Sequence, residues 1–527
     1  MNMKYTSVLP TVERALATGQ IGEPVAVRLI AHLADAPNEL SSLATSLVDR
    51  SLAWLGDSGT TTFTIGDSKQ QVSQLVRTRK SRSALVSAGV VLADEPLVEV
   101  VVFGSRGVLS WEAGRGRESF SDERLRVCED VSPKKTPDPL RPGAQSPPYG
   151  VLLVSGDHTH QPGYADALMA DGRCRLIGVV DEDDVQDSRR RLNRRLADRL
   201  GIPMLPSLAD ALARDDVHIV SVCAEPFRRG RIIVQAARAG KHLYLDKPLA
   251  GSIEDADSIV AAARESGVVA HMFTQVHWDP AQRVRAIVDS GALGDLVAVH
   301  YDVCFAKGHG GTADLSQPRV EHETPTRFEL PDAKRELTNI GVYPIAMLLW
   351  LLRQNVKRVH GTTGNFFFAE HQANDMEDFG QMLLEFDGGV TATISAGRAG
   401  WRSHPGSGLH RICLIGTKGS TTVDAHRPRV EVWADAVPWT APPRDPDDPM
   451  GMWAPLQDSP YKAHPKEGWV LPTASTWASD AEHFLDCIEQ GRHSEVSADV
   501  AAAATEILFA AYRSAAIGAA VQLPIPR

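Results

Sequence analysis

From Gly150 onward, short apolar runs alternate with stretches in which apolar residues recur every three to four positions. The first period belongs to buried strands and the second to amphipathic helices. Strands are predicted at Val151–Ser155, Leu176–Val180, His218–Cys223, His242–Leu245 and Val268–Met272. Helices are predicted near Tyr164–Ala170, Asp187–Leu200, Ser207–Ala213, Arg228–Ala239 and Ile253–Glu265. Such alternation predicts a parallel, doubly wound sheet of the Rossmann type over residues 150–273. The segment Val284–Asp302 then reads as helix, tight turn and the first strand of a second domain, 274–527. In that domain Thr338–Leu352 is helical in pattern, Phe379–Gly397 reads as strands around an Asp387-Gly388 hairpin signal, and helices within Ser479–Gln490 and Ala501–Pro524 close the chain.

Comparing the chain with itself adds an internal repeat. Gly19–Val27 (GQIGEPVAV) matches Gly291–Val299 (GALGDLVAV), and Trp54-Leu55 parallels Trp350-Leu351. Ser87–Gly89 recurs at Ser395–Gly397, and Phe103–Ala113 echoes Ile415–Ala425, all in the same order. Residues 1–130 therefore read as a shortened, degenerate copy of the later sheet domain. The copy has no strand–loop–helix unit of its own, so a structural role is expected; a separate ligand-binding module is the alternative. Residues 131–149, with six prolines, read as an extended linker. Residues 437–472, rich in proline and tryptophan without periodicity, read as a surface excursion.

Composition narrows the function. The 527 residues carry a net charge of -11 without a long basic block, which argues against a nucleic-acid partner. The longest apolar run, Ile340–Leu352, is too short to span a bilayer, and the first ten residues lack the apolar core of a signal peptide. Six cysteines, Cys128, Cys174, Cys223, Cys304, Cys413 and Cys487, are far apart and suit reduced thiols in a cytoplasmic protein.

The chemistry centres on Ala239–Ala250, AGKHLYLDKPLA. Gly240 stops a helix, an apolar strand follows, and Asp246, Lys247 and Pro248 leave its carboxyl end, where open α/β sheets bind ligands. A lysine in a partly dry cleft can hold or release a proton near neutrality. This stretch resembles the AGKHV-x-x-EKP signature of the Gfo/Idh/MocA oxidoreductases, with Asp246 replacing the more frequent glutamate. The resemblance covers residues 150–527. It implies a Rossmann domain followed by a large, mostly antiparallel sheet domain (α/β plus α+β). It also implies that the open face of the large sheet packs on another subunit, a face the N-terminal copy could cover within one chain.

Other positions follow from the resemblance or from their place on strands. The first strand runs into SGDHTHQPG, which lacks the G-x-G-x-x-G phosphate loop. Gly156 remains, and His158 and His160 can donate hydrogen bonds to a cofactor. As a metal pair these two histidines lack a third ligand, and no metal site is expected. Asp181 ends the second strand, where an acid takes the adenosine ribose hydroxyls and favours NAD, while Arg189–Arg191 could meet the 2′-phosphate of NADP. CAEPFRRG resembles the family's A-T-P-N-x-x-H: Pro226 is kept, and Glu225 is either a cofactor contact or a partner for Arg228 or Arg229. QVHWDP stands where the family shows R-F-x-P. It puts Gln275 near the cofactor and His277 either toward the cleft or on the rim against Trp278. Thr338–Leu352 resembles the D-x-G-x-H segment, giving Tyr343 the acid/base position and Asn339 the aspartate's; a helix-start role for Asn339 is the alternative. Lys307, His309, Arg319 and Arg327 lie in a polar loop suited to a hydroxyl-bearing substrate. Arg398, Trp401, Arg402 and His404 lie in a loop able to close over it.

The resemblance thus implies an oxidoreductase using NAD or NADP, with NAD slightly preferred, on a sugar, cyclitol or related polyol. Lys247, Tyr343 and Asn339 would be its catalytic group, and a homo-oligomer is compatible with it. A non-catalytic dinucleotide-binding or regulatory protein on the same scaffold is the rival, and a lyase or hydrolase using transient oxidation a third reading.

Overall fold

A computed structural model describes residues 12–13, 16–17, 19, 21–33, 40–67, 70–90, 97–112, 147–156, 160–306, 311–322, 335–399, 408–424, 429–434, 469–470 and 476–527. Most of the proline-rich linker and of the 437–472 excursion lies outside them.

The first sheet contains β1 (Pro24–Leu33), β2 (Gly59–Asp67), β3 (Gln71–Thr78), β4 (Ser83–Val90), β5 (Leu97–Gly104) and β6 (Gly107–Glu112) in the order β2-β3-β4-β1-β5-β6. Side chains alternate across a strand, and each face of β1 has its own cover. Val27, Leu29 and Ala31 pack under the helix Leu40–Leu55, with Leu43, Leu47 and Leu55 against them. Ala26 faces the opposite way, among Phe103, Cys304 and Phe379.

The second sheet is parallel throughout: β7 (Tyr149–Val154), β8 (Cys174–Val180), β9 (Ile219–Val222), β10 (His242–Leu245) and β11 (Ala270–Met272), ordered β11-β10-β9-β7-β8. The order reverses between β7 and β9, which opens a crevice at the carboxyl ends of those strands. Every predicted strand is present, and the helix Asp187–Leu200 has its predicted bounds, closed by Gly201 at φ 65°. The first helix begins earlier than its periodicity predicts, at Gln161, because Pro162 suits an opening turn.

The third sheet joins β12 (Leu296–Ala306), β13 (Val356–Gly364), β14 (Phe379–Phe386), β15 (Thr391–Ala399), β16 (Gly408–Gly416), β17 (Gly419–Asp424), β18 (Arg429–Ala434), β19 (Trp469–Val470) and β20 (Val521–Gln522). Its order is β19-β18-β17-β16-β12-β15-β14-β13-β20, and only β12 and β15 run parallel. The helix Glu336–Leu352 lies on β12 and β15. The helix Ala498–Ile517 packs on β13 and on the helices Ile253–Ser266 and Glu336–Leu352. By length and composition Ala498–Ile517 is also apolar enough to cross a membrane; here most of it is buried inside the molecule.

Six strands of the third sheet repeat the order of the first. Ala26 pairs with Ser83 and Phe103, and Ala298 pairs with Thr391 and Ile415, the positions that the sequence repeat aligns. Both β1 and β12 shift register just before that alanine. The turns ahead of them use Gly22 at φ 73° and Gly294 at φ 66°, and an added Cβ would meet Ser105 Oγ or Thr417 Oγ1 at 2.3 Å. The two sheets lie face to face. Arg28, 2% exposed, reaches Glu99 Oε1 at 2.5 Å and pairs with Asp302 of the opposite sheet, while Arg411 reaches Glu99 at 3.1 Å. Phe63 meets His360 at 4.7 Å between ring centroids, Phe103 meets Phe379 at 5.0 Å, and Leu383 packs among Phe63, Ile65, Leu75 and Leu85.

Candidate active site

β10 delivers the chain to the carboxyl edge of the parallel sheet, where it turns through Asp246, Lys247 and Pro248. The Asp246 carboxylate faces inward. Its Oδ1 accepts the Tyr164 hydroxyl at 2.7 Å and lies 2.8 Å from His160 Nδ1; Oδ2 lies 3.3 Å from Arg229 Nη2. Arg229, itself buried, also donates to the carbonyls of Ala224, Asp246 and Pro248. Burial opposes ionisation of Asp246, but His160, Arg229 and Lys247 outweigh it and hold the carboxyl well below its usual range. The expected cofactor contacts His160 and Asp246 therefore engage each other, because a buried carboxylate needs partners. Together they brace the turn that presents Lys247.

Lys247, 6% exposed, reaches across to the sheet domain. Its Nζ donates to Asn339 Oδ1 at 2.6 Å and to the Asn339 carbonyl at 2.8 Å, and lies 4.9 Å from the centre of the Tyr343 ring. Asn339 and Tyr343 are one turn apart on the helix Glu336–Leu352, hence on one face. That helix begins two residues before the predicted start, so Asn339 lies inside its first turns rather than at the cap, which is Arg335. The Asn339 amide bridges two groups. Its Nδ2 donates to Glu336 Oε2 at 2.8 Å, while Glu336 Oε1 accepts from Arg398 Nε at 3.1 Å and lies 3.5 Å from His371 Nε2. Burial pushes the Glu336 carboxyl up, but His371, Arg398 and the Asn339 amide reverse the shift and hold it at about 2. Burial and the Asp246 carboxylate push the Tyr343 phenol above its ordinary range. It stays protonated near neutrality and can donate a hydrogen bond. A lysine linked through an amide to a buried carboxylate, beside a protonated phenol, is equipped to give a proton to a carbonyl oxygen as the ammonium and to take one from a hydroxyl as the neutral amine.

A second set of charges lies at the ends of β7, β8 and β9. Asp181 accepts from Arg228 Nη1 at 2.5 Å and Nη2 at 3.2 Å and from Asn193 Nδ2 at 2.8 Å. Arg228 also pairs with Glu225, whose Oε1 accepts Arg189 Nε at 2.8 Å. Glu225 is thus the partner of Arg228 and Arg189, and not of Arg229. Burial opposes its ionisation, yet the two arginines bring its carboxyl down to about 2. Gly156 lies against this group, and an added Cβ would meet Asn193 at 2.5–2.7 Å. Pro226 opens the next helix, Pro226–Arg238.

Beside Tyr343 the Phe305 ring leads to a small hollow lined by Gln275, Trp278, Tyr301, Met347 and His410, among others. Tyr301 Oη and His410 Nε2 lie 3.0 Å apart there. His277 does not face this cleft: it is 8% exposed and its ring stacks on His483 with centroids 4.0 Å apart. Arg398 belongs to the Glu336 group, and Arg319 pairs with Glu321 at 2.9 Å. His158, Lys307, His309, Arg327, Trp401, Arg402 and His404 lie outside the described residues.

The fold has known counterparts. Residues 158–274 match the oxidoreductase family with an NAD-binding Rossmann fold, and residues 281–422 match the GFO/IDH/MocA C-terminal domain. The chain belongs to the Gfo/Idh/MocA oxidoreductase family. Among curated relatives of this family member, a dTDP-3,4-didehydro-2,6-dideoxy-alpha-D-glucose 3-reductase of Streptomyces violaceoruber is 28% identical over 254 residues, 45% of this chain and 66% of that protein. The match therefore spans just under two thirds of that relative. A scyllo-inositol 2-dehydrogenase (NAD(+)) of Bacillus subtilis is 24% identical over 60% of this chain and 81% of that protein. Among solved structures, levoglucosan dehydrogenase in complex with NADH and levoglucosan superposes with a TM-score of 0.55. It is 18% identical, over 72% of this chain and all of that one, and supports the fold alone. Residues 1–157 lie outside both family matches.

The crevice fits a dinucleotide by one physical test. Arg189 Nη1 and Asn193 Oδ1, beside Glu225 and Gly156, and Gln275 Oε1 at the hollow are buried without partners. Buried polar groups are normally matched, and a bound ligand rich in hydroxyl and phosphate oxygens would match them. Sequence reasoning missed Glu336 as an organiser of the site, and it named Arg228 and Arg229 only as possible partners of Glu225. Glu336 could have been found as the acid three residues before Asn339, on the same helical face once the helix starts there.

Proposed function

We propose that this protein is an NAD(P)-dependent oxidoreductase that moves a hydride between a nicotinamide cofactor and a sugar, cyclitol or related polyol. The observation that carries the reading is the convergence of Lys247, at a strand exit of the Rossmann domain, with Asn339 and Tyr343 of the sheet domain. A bound nicotinamide supplies the hydride acceptor or donor. Lys247, aligned by Asn339, takes or returns the proton of the substrate hydroxyl. Tyr343 donates a hydrogen bond to the same oxygen, and Glu336 acts through Asn339 to hold the lysine in line. Further substrate hydroxyls meet the hollow at Gln275 and His410 and the loop residues Lys307, His309, Arg327 and Trp401. Gly156, Asp181, Glu225 and Pro226 line the cofactor's adenosine end. NAD is slightly preferred because Asp181 ends the second strand, where an acid takes the adenosine ribose hydroxyls. No disulfide joins the five described cysteines, which agrees with a reducing cytoplasm.

We further propose that residues 1–130 are a degenerate copy of the sheet domain that covers the face of the large sheet within the chain. The shared strand order and registers support this reading, as do the Arg28–Asp302 pair and the Phe63–His360 contact.

One observation favours the regulatory alternative: each oxygen of Asp181 already accepts two hydrogen bonds, Oδ1 from Arg228 and the Glu182 amide and Oδ2 from Arg228 and Asn193, so a ribose must displace one of them. Titrating the full chain with NADH and NADPH, followed by nicotinamide fluorescence and then by turnover on a panel of aldoses and cyclitols, separates the readings. Binding with turnover on at least one polyol is expected. Binding without turnover on the whole panel would replace the enzyme with the regulatory alternative, and no binding would remove both.

A further inference from the structure

His271, His277 and His483 each place one ring nitrogen within 4.8 Å of the other two. His271 is on β11, the edge strand of the Rossmann sheet, His277 is in the loop that follows, and His483 is on the helix Thr476–Gln490. Asp480, on that helix one turn before His483, lies 2.8 Å from His271 Nε2 and accepts the Tyr244 hydroxyl at 2.6 Å, both through Oδ2. Two polar atoms of the cluster are buried without a partner: Asp480 Oδ1 and His277 Nε2. Cys487 Sγ, one turn beyond His483, lies 3.5 Å from His483 Nε2.

We propose that His271, His277, His483 and Cys487 form a zinc-type metal site that pins the C-terminal helix to the edge of the Rossmann sheet. Imidazole nitrogen and thiolate sulfur are the ligands that zinc takes in tetrahedral sites, with Zn–N distances of about 2.0–2.1 Å and Zn–S of about 2.3 Å. The nitrogens must draw inward, so the His277 and His483 rings turn out of their stack, and Ser494, 2.7 Å from His271 Nδ1, gives up that bond. Asp480 then plays the part such carboxylates play around bound metals: it holds the far nitrogen of His271 and so selects the ligating tautomer. On binding, the Cys487 thiol releases its proton to solvent and the sulfur donates the freed pair to the metal. The site would lock the loop that carries Gln275 to the hollow. The expectation of no metal site rested on spacing along the chain, which cannot register donors so far apart in sequence.

The test uses the full-length protein, stripped with a chelator, gel-filtered with Zn2+ or Co2+ and analysed for bound metal. One equivalent retained is expected, with a rise in Tm, since a ligand that binds only the folded state stabilises it. The Co2+ form should show tetrahedral visible bands and a near-ultraviolet thiolate band. C487S should lose the thiolate band and keep the metal, while H277Q and H483Q should lose the metal with metal-free circular dichroism unchanged. Retention below a tenth of an equivalent overturns the proposal, as does equal retention by H277Q and H483Q. Should those two variants fail to fold, a Co2+ spectrum unchanged in C487S overturns it instead.

Discussion

Lys247 Nζ donates to Asn339 Oδ1 at 2.6 Å, so the strand exit of one domain is fastened to the first turns of a helix in the other. The bond does two things. It fixes where the ammonium can reach, and it links that ammonium to Glu336 through an uncharged amide. Asn339→Leu keeps the volume and removes the bridge. Turnover is expected to fall by roughly a hundredfold, the scale of a small misplacement of reacting groups, with the loss in kcat rather than in cofactor Kd. Steady-state kinetics at saturating cofactor checks it, and an unchanged kcat would contradict it.

Asn339→Asp places a second carboxylate 2.8 Å from where Glu336 Oε2 now accepts the amide. Two carboxylates at that distance share a proton, and one of them titrates upward. The variant should be active only where that shared proton is lost, giving its pH–rate profile an acid limb displaced to higher pH than in the natural protein. Coincident profiles would show that the amide does not couple Glu336 to the chemistry.

Glu336 also makes a prediction about stability. Its folded value of about 2 lies below its ordinary value of 4.5. A depressed carboxyl stabilises the fold above the unfolded pKa, and the benefit disappears as pH falls toward the folded one. Glu336→Gln should therefore be less stable than the natural protein above about pH 4.5, by on the order of 2–4 kcal/mol. The gap should close between pH 4.5 and 2. Urea denaturation midpoints of both proteins across that range measure it; a gap that persists at pH 2 would show that the loss is steric.

Much of this arrangement is legible in the sequence because it is local. His242–Leu245 is four apolar or aromatic residues between a helix stop and a charged exit, and the observed strand has those bounds. Asn339 and Tyr343 share a face by spacing alone. The short matches between Gly19–Val27 and Gly291–Val299 and their companions fall on strands that share an order and registers in the first and third sheets. What the sequence could not register is which partner satisfies a buried charge. Asp181 sits where the strand pattern puts it, but only the folded chain brings Arg228 onto both of its oxygens. Asp246 turns inward because Tyr164, His160 and Arg229 arrive from other elements. His277 likewise turns away from the cleft because His271 and His483 are waiting on β11 and a C-terminal helix.

The N-terminal sheet makes its own prediction. Arg28 is buried between Glu99 and Asp302, and burial, with Glu99 adding to it, raises the Asp302 carboxyl to about 6 despite the arginine. Removing one member of a buried ion pair typically costs about 3–5 kcal/mol because the other is left unpaired. Arg28→Ala should therefore destabilise the whole chain by roughly that amount and admit protease to β1–β6 first. Arg28→Lys should recover part of the loss. Chemical denaturation with limited proteolysis checks both, and a neutral Arg28→Ala would show that the two sheets do not depend on this contact.

The most direct test of the account is Lys247→Met, assayed as the rate of NAD+ or NADP+ reduction on the best polyol of the panel at equal cofactor saturation. Removing a proton-handling group costs about a hundredfold to ten-thousandfold. We predict a loss in that range, with circular dichroism and cofactor Kd unchanged. Turnover within a factor of about three of the natural protein, well short of the range for such a group, would contradict the account.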